Sequence, residues 1–147
     1  MKKLTLLFSF FICLTVTGMA QQNYQYAIGL RGGNPVGATV KYFFTEYHAG
    51  EGIIGLEFNR GFNLTGLYEF NMYLTEGTNW YFGGGMSLGV KKNLTTFGFD
   101  GIIGVEFTLP RHPINFGIDW KPAYVFGLED KTLGLLNFAL SLRYAIK

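Results

Sequence analysis

Residues 136–146 read LNFALSLRYAI, and their alternation decides the fold. Every second residue of this stretch is apolar, and the residues between are small or polar, with Arg143 as the single charge. A period of two is typical of a β-strand, because successive side chains of a strand point to opposite faces. The stretch therefore predicts a strand with one apolar face and one polar face that continues almost to residue 147.

The same period of two continues through most of the chain after residue 25. Eight segments alternate in this way, and clusters of glycine, asparagine and proline such as Gly32-Gly33-Asn34-Pro35 separate them and indicate turns. The predicted strand ranges are 26–33, 36–44, 51–59, 62–73, 79–90, 97–109, 114–125 and 134–146. The chain is therefore predicted to be an all-β, antiparallel, up-and-down structure of eight strands.

The two faces of these predicted strands differ in charge. One set of faces is apolar and carries no charge over its central residues, whereas the other holds glycines, serines, asparagines and nine charged side chains. The nine are Arg31, Lys41, Glu57, Glu69, Asp100, Glu106, Asp119, Lys121 and Arg143. Because four of them are positive and five are negative, they can form a nearly balanced network of ion pairs.

Alternation alone permits a soluble barrel or sandwich, which would bury the apolar faces and expose the charged ones. The composition favours the inverse arrangement, since 18% of the residues are aromatic and only 15% are charged, against about 25% charged in typical globular proteins. Glycine alternating with charge also suits a crowded interior in which small and long side chains interleave. We therefore expect a transmembrane β-barrel with an apolar exterior and a polar lumen.

The first twenty residues have a different pattern. Lys2-Lys3 precede an apolar run from Leu4 to Val16, and Gly18-Met19-Ala20 follows. This order predicts a secretory signal peptide, residues 1–20, and a barrel domain, residues 21–147. Cleavage would remove both lysines and the only cysteine, Cys13, and lower the formal net charge from +2 to 0. The composition therefore gives no reason to expect a nucleic-acid partner, a disulfide or a cysteine metal ligand.

The signal peptide, the eight alternating segments and the final LSLRY at 140–144 resemble the small eight-stranded outer-membrane β-barrel proteins. The last strand of that family resembles a signal for the barrel-assembly machinery, with alternating apolar residues and a late aromatic, which Leu140, Leu142 and Tyr144 match. The resemblance implies a monomer in the outer membrane of a Gram-negative cell envelope. Its partners would be outer-membrane lipid and, during insertion, the assembly machinery.

An even number of strands brings both ends of the barrel domain to one side, which we expect to be periplasmic. The connections near 46–50, 75–78 and 110–113 belong to that side, and those near 33–35, 59–61, 91–96 and 126–133 to the outside. Amphipathic aromatic residues favour membrane interfaces. Those expected near the periplasmic rim are Tyr24, Tyr26, Phe44, Tyr73, Trp80, Phe107 and Tyr144.

The interior of an eight-stranded barrel is just wide enough for side chains to fill it. We therefore expect the nine charges to fill the lumen of a structural or surface-interaction protein. The alternative is a narrow pore or transporter for small or hydrophobic molecules. An enzyme is not expected, because the two histidines, His48 and His112, fall in predicted turns. The sequence suggests no catalytic, cofactor-binding or metal-binding residue.

Overall fold

The computed structural model describes residues 24–58, 60–127 and 132–147. The predicted signal peptide, with Cys13, and part of the predicted 126–133 connection lie outside the described residues. In the described parts of the chain, no helix is long and apolar enough to cross a membrane.

The described residues form one antiparallel sheet that closes on itself as an eight-stranded barrel. Its elements are β1 (Tyr26–Gly33), β2 (Val36–Phe43), β3 (His48–Glu57), β4 (Gly61–Thr75), β5 (Thr78–Lys91), β6 (Leu94–Thr108), β7 (Ile114–Trp120), β8 (Ala123–Phe126), β9 (Thr132–Gly134) and β10 (Phe138–Ile146). The short β7 and β8 together make the seventh strand of the barrel, and β9 and β10 make the eighth. The predicted all-β, antiparallel fold of eight barrel strands is confirmed.

Pairing of β10 with β1 closes the barrel. The paired residues run from Tyr26 opposite Ile146 to Gly33 opposite Ala139. The backbone N–H of Gln25 extends this pairing by donating to the carbonyl of Ile146 at 3.0 Å. The alternating stretch at the end of the chain is therefore a central strand of a closed sheet, with a neighbour on each side.

The seventh and eighth barrel strands are each interrupted at the same level, which the sequence did not predict. Trp120 pairs with Phe138 and Ala123 pairs with Gly134, so two residues of the seventh barrel strand face three of the eighth, as in a β-bulge. The cause is Pro122, which has no N–H to donate to the ladder. Its carbonyl still accepts a hydrogen bond from the N–H of Gly101 at 2.8 Å.

The connections divide between the two ends of the barrel. Residues 44–47, 76–77 and 109–113 connect strands at the end that also holds Tyr24 and Lys147, which we call the terminal end. The connections 34–35, 58–60 and 92–93 lie at the opposite end. Two strands begin three residues earlier than predicted, β3 at His48 rather than at residue 51 and β6 at Leu94 rather than at residue 97. Glu51 therefore lies well inside β3 rather than at its start.

Side chains alternate between buried and exposed along the strands, and in β10 the alternation is complete. Inward-facing glycines make room for the long side chains opposite them. A Cβ atom at Gly104 would lie 2.6 Å from the Tyr81 ring and 2.7 Å from Cβ of Asp119, and one at Gly117 would lie 3.0 Å from the Arg143 guanidinium. The glycines among the charged positions thus allow the interior to hold large polar groups.

Candidate functional site: the interior charge network

All nine charged residues singled out in the sequence are buried, none with more than 6% of its surface exposed. Glu51, at the start of a predicted strand, and Arg60, in a predicted connection, are buried with them. In the described residues, the interior charge network therefore has five cations and six carboxylates. Its members are Arg31, Lys41, Arg60, Lys121, Arg143, Glu51, Glu57, Glu69, Asp100, Glu106 and Asp119.

Lys41 is central to the part of the network nearest the terminal end. Its Nζ lies 2.8 Å from Oε2 of Glu69 and 3.1 Å from Oε2 of Glu106. It also donates a hydrogen bond to Oδ1 of Asn71 at 2.8 Å. Three strands, β2, β4 and β6, are joined through this one ammonium group.

Arg143 on β10 joins the same group of charges. Its Nη2 donates to Oε1 of Glu51 at 2.6 Å, and its Nη1 lies 3.8 Å from Oε2 of Glu106. Nη1 also donates to Oδ1 of Asn115 at 3.2 Å, and the hydroxyl of Thr39 donates to Glu51. We call the set of Tyr24, Lys41, Glu51, Glu69, Glu106 and Arg143 the terminal cluster.

Tyr24, which was predicted among the aromatic residues of the periplasmic rim, lies at the terminal end with its side chain inside the barrel. Only 3% of its surface is exposed, and its hydroxyl donates to Glu106 at 2.9 Å. It packs with Phe43 and three alanines in a small apolar group at the terminal end. Burial raises the pKa of Tyr24 well above its ordinary value, and the Glu106 carboxylate raises it further, so the phenol stays a donor.

Arg31 and Asp119 form a second group across the closing strands. The guanidinium binds the carboxylate through two hydrogen bonds, Nη1 to Oδ2 at 2.7 Å and Nη2 to Oδ1 at 2.5 Å. The hydroxyl of Tyr81 donates to the same carboxylate at 3.2 Å. The Tyr81 ring lies under the ammonium of Lys41, with 4.1 Å between Nζ and the ring centroid, and so connects this pair to the terminal cluster.

Two further groups lie toward the opposite end of the barrel. Lys121 donates to Oδ1 of Asp100 at 2.7 Å. Arg60 leaves the 58–60 connection and reaches inward, where it donates to the hydroxyls of Thr96 and Ser87 at 2.9 and 2.8 Å. Its Nη1 also lies 3.6 Å from Oε2 of Glu57.

An apolar layer separates the terminal cluster from these two groups. Ile53, Leu67, Tyr81 and Ile102 contact one another and are at most 5% exposed. On β3, β4 and β6, one member of the layer lies between two inward-facing polar residues of the same strand. Ile53 lies between Glu51 and Glu57, Leu67 between Glu69 and Asn63, and Ile102 between Glu106 and Asp100. On the side of the barrel formed by β3 to β6, apolar side chains thus lie between two levels of buried polar residues.

Many large hydrophobic side chains are exposed on the outward faces of the strands. Leu30, Phe116 and Leu142 lie side by side at one level across three strands and are 70%, 47% and 51% exposed. Aromatic rings lie next to one another at the terminal end, where Tyr26 contacts Tyr42 and Phe70 contacts Phe82. Large hydrophobic side chains are therefore exposed at positions that alternate with the buried charges.

Neither histidine belongs to the interior. His48 is the first residue of β3 and not a turn residue as predicted. Its ring shares a hydrogen bond with the Tyr68 hydroxyl and packs against Phe70. His112 lies in the 109–113 connection and lines a surface cavity of about 440 Å³ together with Glu76 and Arg111. Among the described residues, no group of His, Cys, Asp and Glu is placed to hold a metal ion.

Comparison of the chain with protein-family models, with curated proteins and with solved structures found no match. Three features of the barrel itself bear on its function. These are the buried charges, the apolar layer between them and the exposed apolar faces.

Proposed function

We propose that this chain is an integral barrel of the bacterial outer membrane that is closed by its own side chains and serves a structural or surface-interaction role. The observation that carries the proposal is the inverted distribution of side chains. The eleven charged side chains of the interior charge network are buried, while large hydrophobic side chains such as Leu30, Phe116 and Leu142 are exposed. Soluble proteins normally bury the second group and expose the first.

Lipid is the surrounding in which this distribution is favourable. A monomeric soluble protein rarely exposes a continuous apolar patch larger than a few hundred Å², whereas leucine, phenylalanine and tyrosine cover the outside of β10 and its neighbours here. A closed barrel also pairs its backbone groups within the sheet, which the hydrocarbon region requires. The predicted signal peptide supports export, and insertion would involve lipid and the barrel-assembly machinery.

The packing of the interior favours a closed barrel over a narrow pore. The side chains of Arg31, Lys41 and Arg143 and of their carboxylate partners have 0% of their surface exposed. A continuous water-filled path past these groups would give them accessible surface. The apolar layer opposes ion passage for a second reason, since an ion there would lose its hydration without gaining a partner.

The membrane assignment predicts the behaviour of the mature protein in cell fractions and on gels. We expect it in the outer-membrane fraction, and we expect unheated and boiled samples to migrate differently in detergent gels because the closed barrel resists unfolding by detergent. A periplasmic soluble protein with the same signal peptide serves as the control. Recovery of folded protein in the soluble fraction would contradict the proposal.

The closed interior predicts electrical silence. Purified protein inserted into planar bilayers should give no steady single-channel current, while a water-filled porin in the same bilayers should conduct. Insertion would be verified independently by the gel shift of protein recovered from vesicles of the same lipid. Steady open currents that scale with the amount of inserted protein would instead support the pore or transporter.

A further inference from the structure

The interior charges balance in three places and fail to balance in one. Arg31 pairs with Asp119, Lys121 with Asp100, and Arg60 with Glu57, and each pair is neutral. The terminal cluster holds the remaining charged groups, the cations Lys41 and Arg143 and the carboxylates Glu51, Glu69 and Glu106. Among the described residues, the cluster therefore has one carboxylate more than it has cations.

A surplus carboxylate is costly at this place. The side chains of all five residues have 0% of their surface exposed, so water cannot hydrate the extra charge. Transfer of an unpaired ion from water to the interior of a protein costs several kcal/mol even after relaxation. A buried carboxylate without its own cation commonly takes up a proton instead.

The contacts point to Glu69 as the carboxylate with the fewest donors. Glu106 accepts from Tyr24 and Lys41, and Glu51 accepts from Arg143 through Oε1. Oε1 of Glu69 and Oε2 of Glu51 are buried and have no hydrogen-bond partner. Oε2 of Glu69 is contacted by Lys41 alone, whose Nζ lies 2.8 Å away and also donates to Asn71 and Glu106.

The unpartnered oxygens belong to two carboxyl groups that are neighbours. Glu51 and Glu69 lie on the paired strands β3 and β4, in adjacent inward positions, since Ala49 pairs with Glu69 and Glu51 pairs with Leu67. Both side chains are fully buried in the terminal cluster. Two ionised carboxylates cannot hydrogen-bond to each other, because neither has a donor.

We propose that the folded interior binds one proton, which is held between Glu69 and Glu51, with the Glu69 hydroxyl donating to Oε2 of Glu51. The proton removes the surplus charge and provides the donor that Oε2 of Glu51 lacks. The assignment depends on the burial of the terminal cluster and not on the membrane location of the barrel.

Folding would then take up a proton. In the unfolded chain both glutamates are ionised at neutral pH, whereas the folded chain keeps one proton, so stability falls as the pH rises through neutrality. The other groups facing the pair are Lys41 from β2, Tyr81 from β5, Glu106 from β6, Arg143 from β10 and Tyr24. Tyrosine, lysine and arginine ordinarily titrate near pH 10 or above, so Lys41, Tyr81, Arg143 and Tyr24 are not expected to change charge near neutrality.

The test compares the wild-type protein with Glu69→Gln, whose amide keeps the size of a neutral glutamic acid and can donate to Glu51. For each rise of one pH unit, the unfolding constant in urea should increase by a factor about ten times larger in the wild type than in Glu69→Gln. This difference is the effect of one proton. Glu76→Gln, an exposed carboxylate at the terminal end, is the matched control and should keep the wild-type slope. Equal slopes in wild type and Glu69→Gln would overturn the proposal.

Infrared spectroscopy of the folded wild type provides a readout that needs no variant to fold. A neutral carboxylic acid has a carbonyl band that ionised carboxylates lack, and exposed carboxylates are ionised at neutral pH. We expect this band in the wild type and in Glu76→Gln, and we expect Glu69→Gln to lack it. A wild-type spectrum at neutral pH without the band would show that the cluster holds no proton.

Discussion

Replacing Asp119 with alanine is expected to destabilise the folded barrel by about 3–5 kcal/mol, the usual cost of removing one partner of a buried ion pair. The variant leaves the Arg31 guanidinium buried without its two charge-assisted hydrogen bonds. The Tyr81 hydroxyl also loses its acceptor. Because arginine does not lose its proton in proteins, the unpaired charge cannot be removed by titration. The free energy of unfolding in urea, followed by the loss of β-sheet circular dichroism, would measure the effect.

A double variant separates the cost of an unpaired charge from the value of the pair. Replacing Arg31 with methionine and Asp119 with leucine removes both charges and keeps apolar groups of similar volume. Such replacements are often neutral or stabilising, so the double variant should be more stable than Asp119→Ala alone. If Asp119→Ala is as stable as the wild type, the pair is not buried as described.

Replacing Leu142 with arginine should destabilise the barrel in lipid by about 2–4 kcal/mol, the cost of a charge on the lipid face near the bilayer midplane. Leu142 lies halfway along β10, between Leu30 and Phe116 at the same level on the neighbouring strands. Its side chain faces outward, and no carboxylate is among these neighbours. The free energy of unfolding from lipid vesicles would measure this cost.

Leu136→Arg is the matched control. Leu136 is 86% exposed and lies in the interruption between β9 and β10, toward the opposite end of the barrel. An arginine near the interface costs only about 0–1 kcal/mol, so this variant should be close to the wild type. If Leu142→Arg is also neutral, the outward faces do not contact lipid, and the proposed location is wrong.

Much of the fold could be predicted because apolar and polar residues alternate along a strand whose two faces lie in different surroundings. In β10 the buried residues Ala139, Ser141 and Arg143 and the exposed residues Leu140 and Leu142 follow the sequence pattern without exception. A shift of one residue would exchange the two faces. For this reason a pattern of period two predicts which side chains point inward even when the strand partners are unknown.

Glu51 and Arg60 were missed for two different physical reasons. Outward-facing Gly50 and Gly52 interrupt the apolar face of β3, so the first residues of the strand resembled a turn and Glu51 stood at the edge of the predicted strand. Arg60 precedes β4 in a true connection, and its long side chain bends into the barrel. Alternation gives no information about the direction of a side chain outside a strand.

The partners within the network, and the apolar layer, could not be predicted either. Ile53, Leu67 and Ile102 lie on inward faces that are otherwise polar, on three different strands. Their contact depends on how far each strand is displaced along its neighbour, and that register is set by pairing and turns, which alternation does not specify. The pairing of Arg31 with Asp119 depends on register in the same way.

The pairing of β1 with β10 has a consequence for the kinetics and cooperativity of folding. Arg31 and Ser141, which pair across it, are 110 residues apart in the chain. A contact between such distant residues is entropically costly to form early, because nearly the whole chain must first be ordered. Until it forms, the sheet has two edges whose backbone groups lack partners, a state that water tolerates and hydrocarbon does not. We therefore expect the barrel to enter lipid and to unfold as a single cooperative unit, without a stable partial sheet.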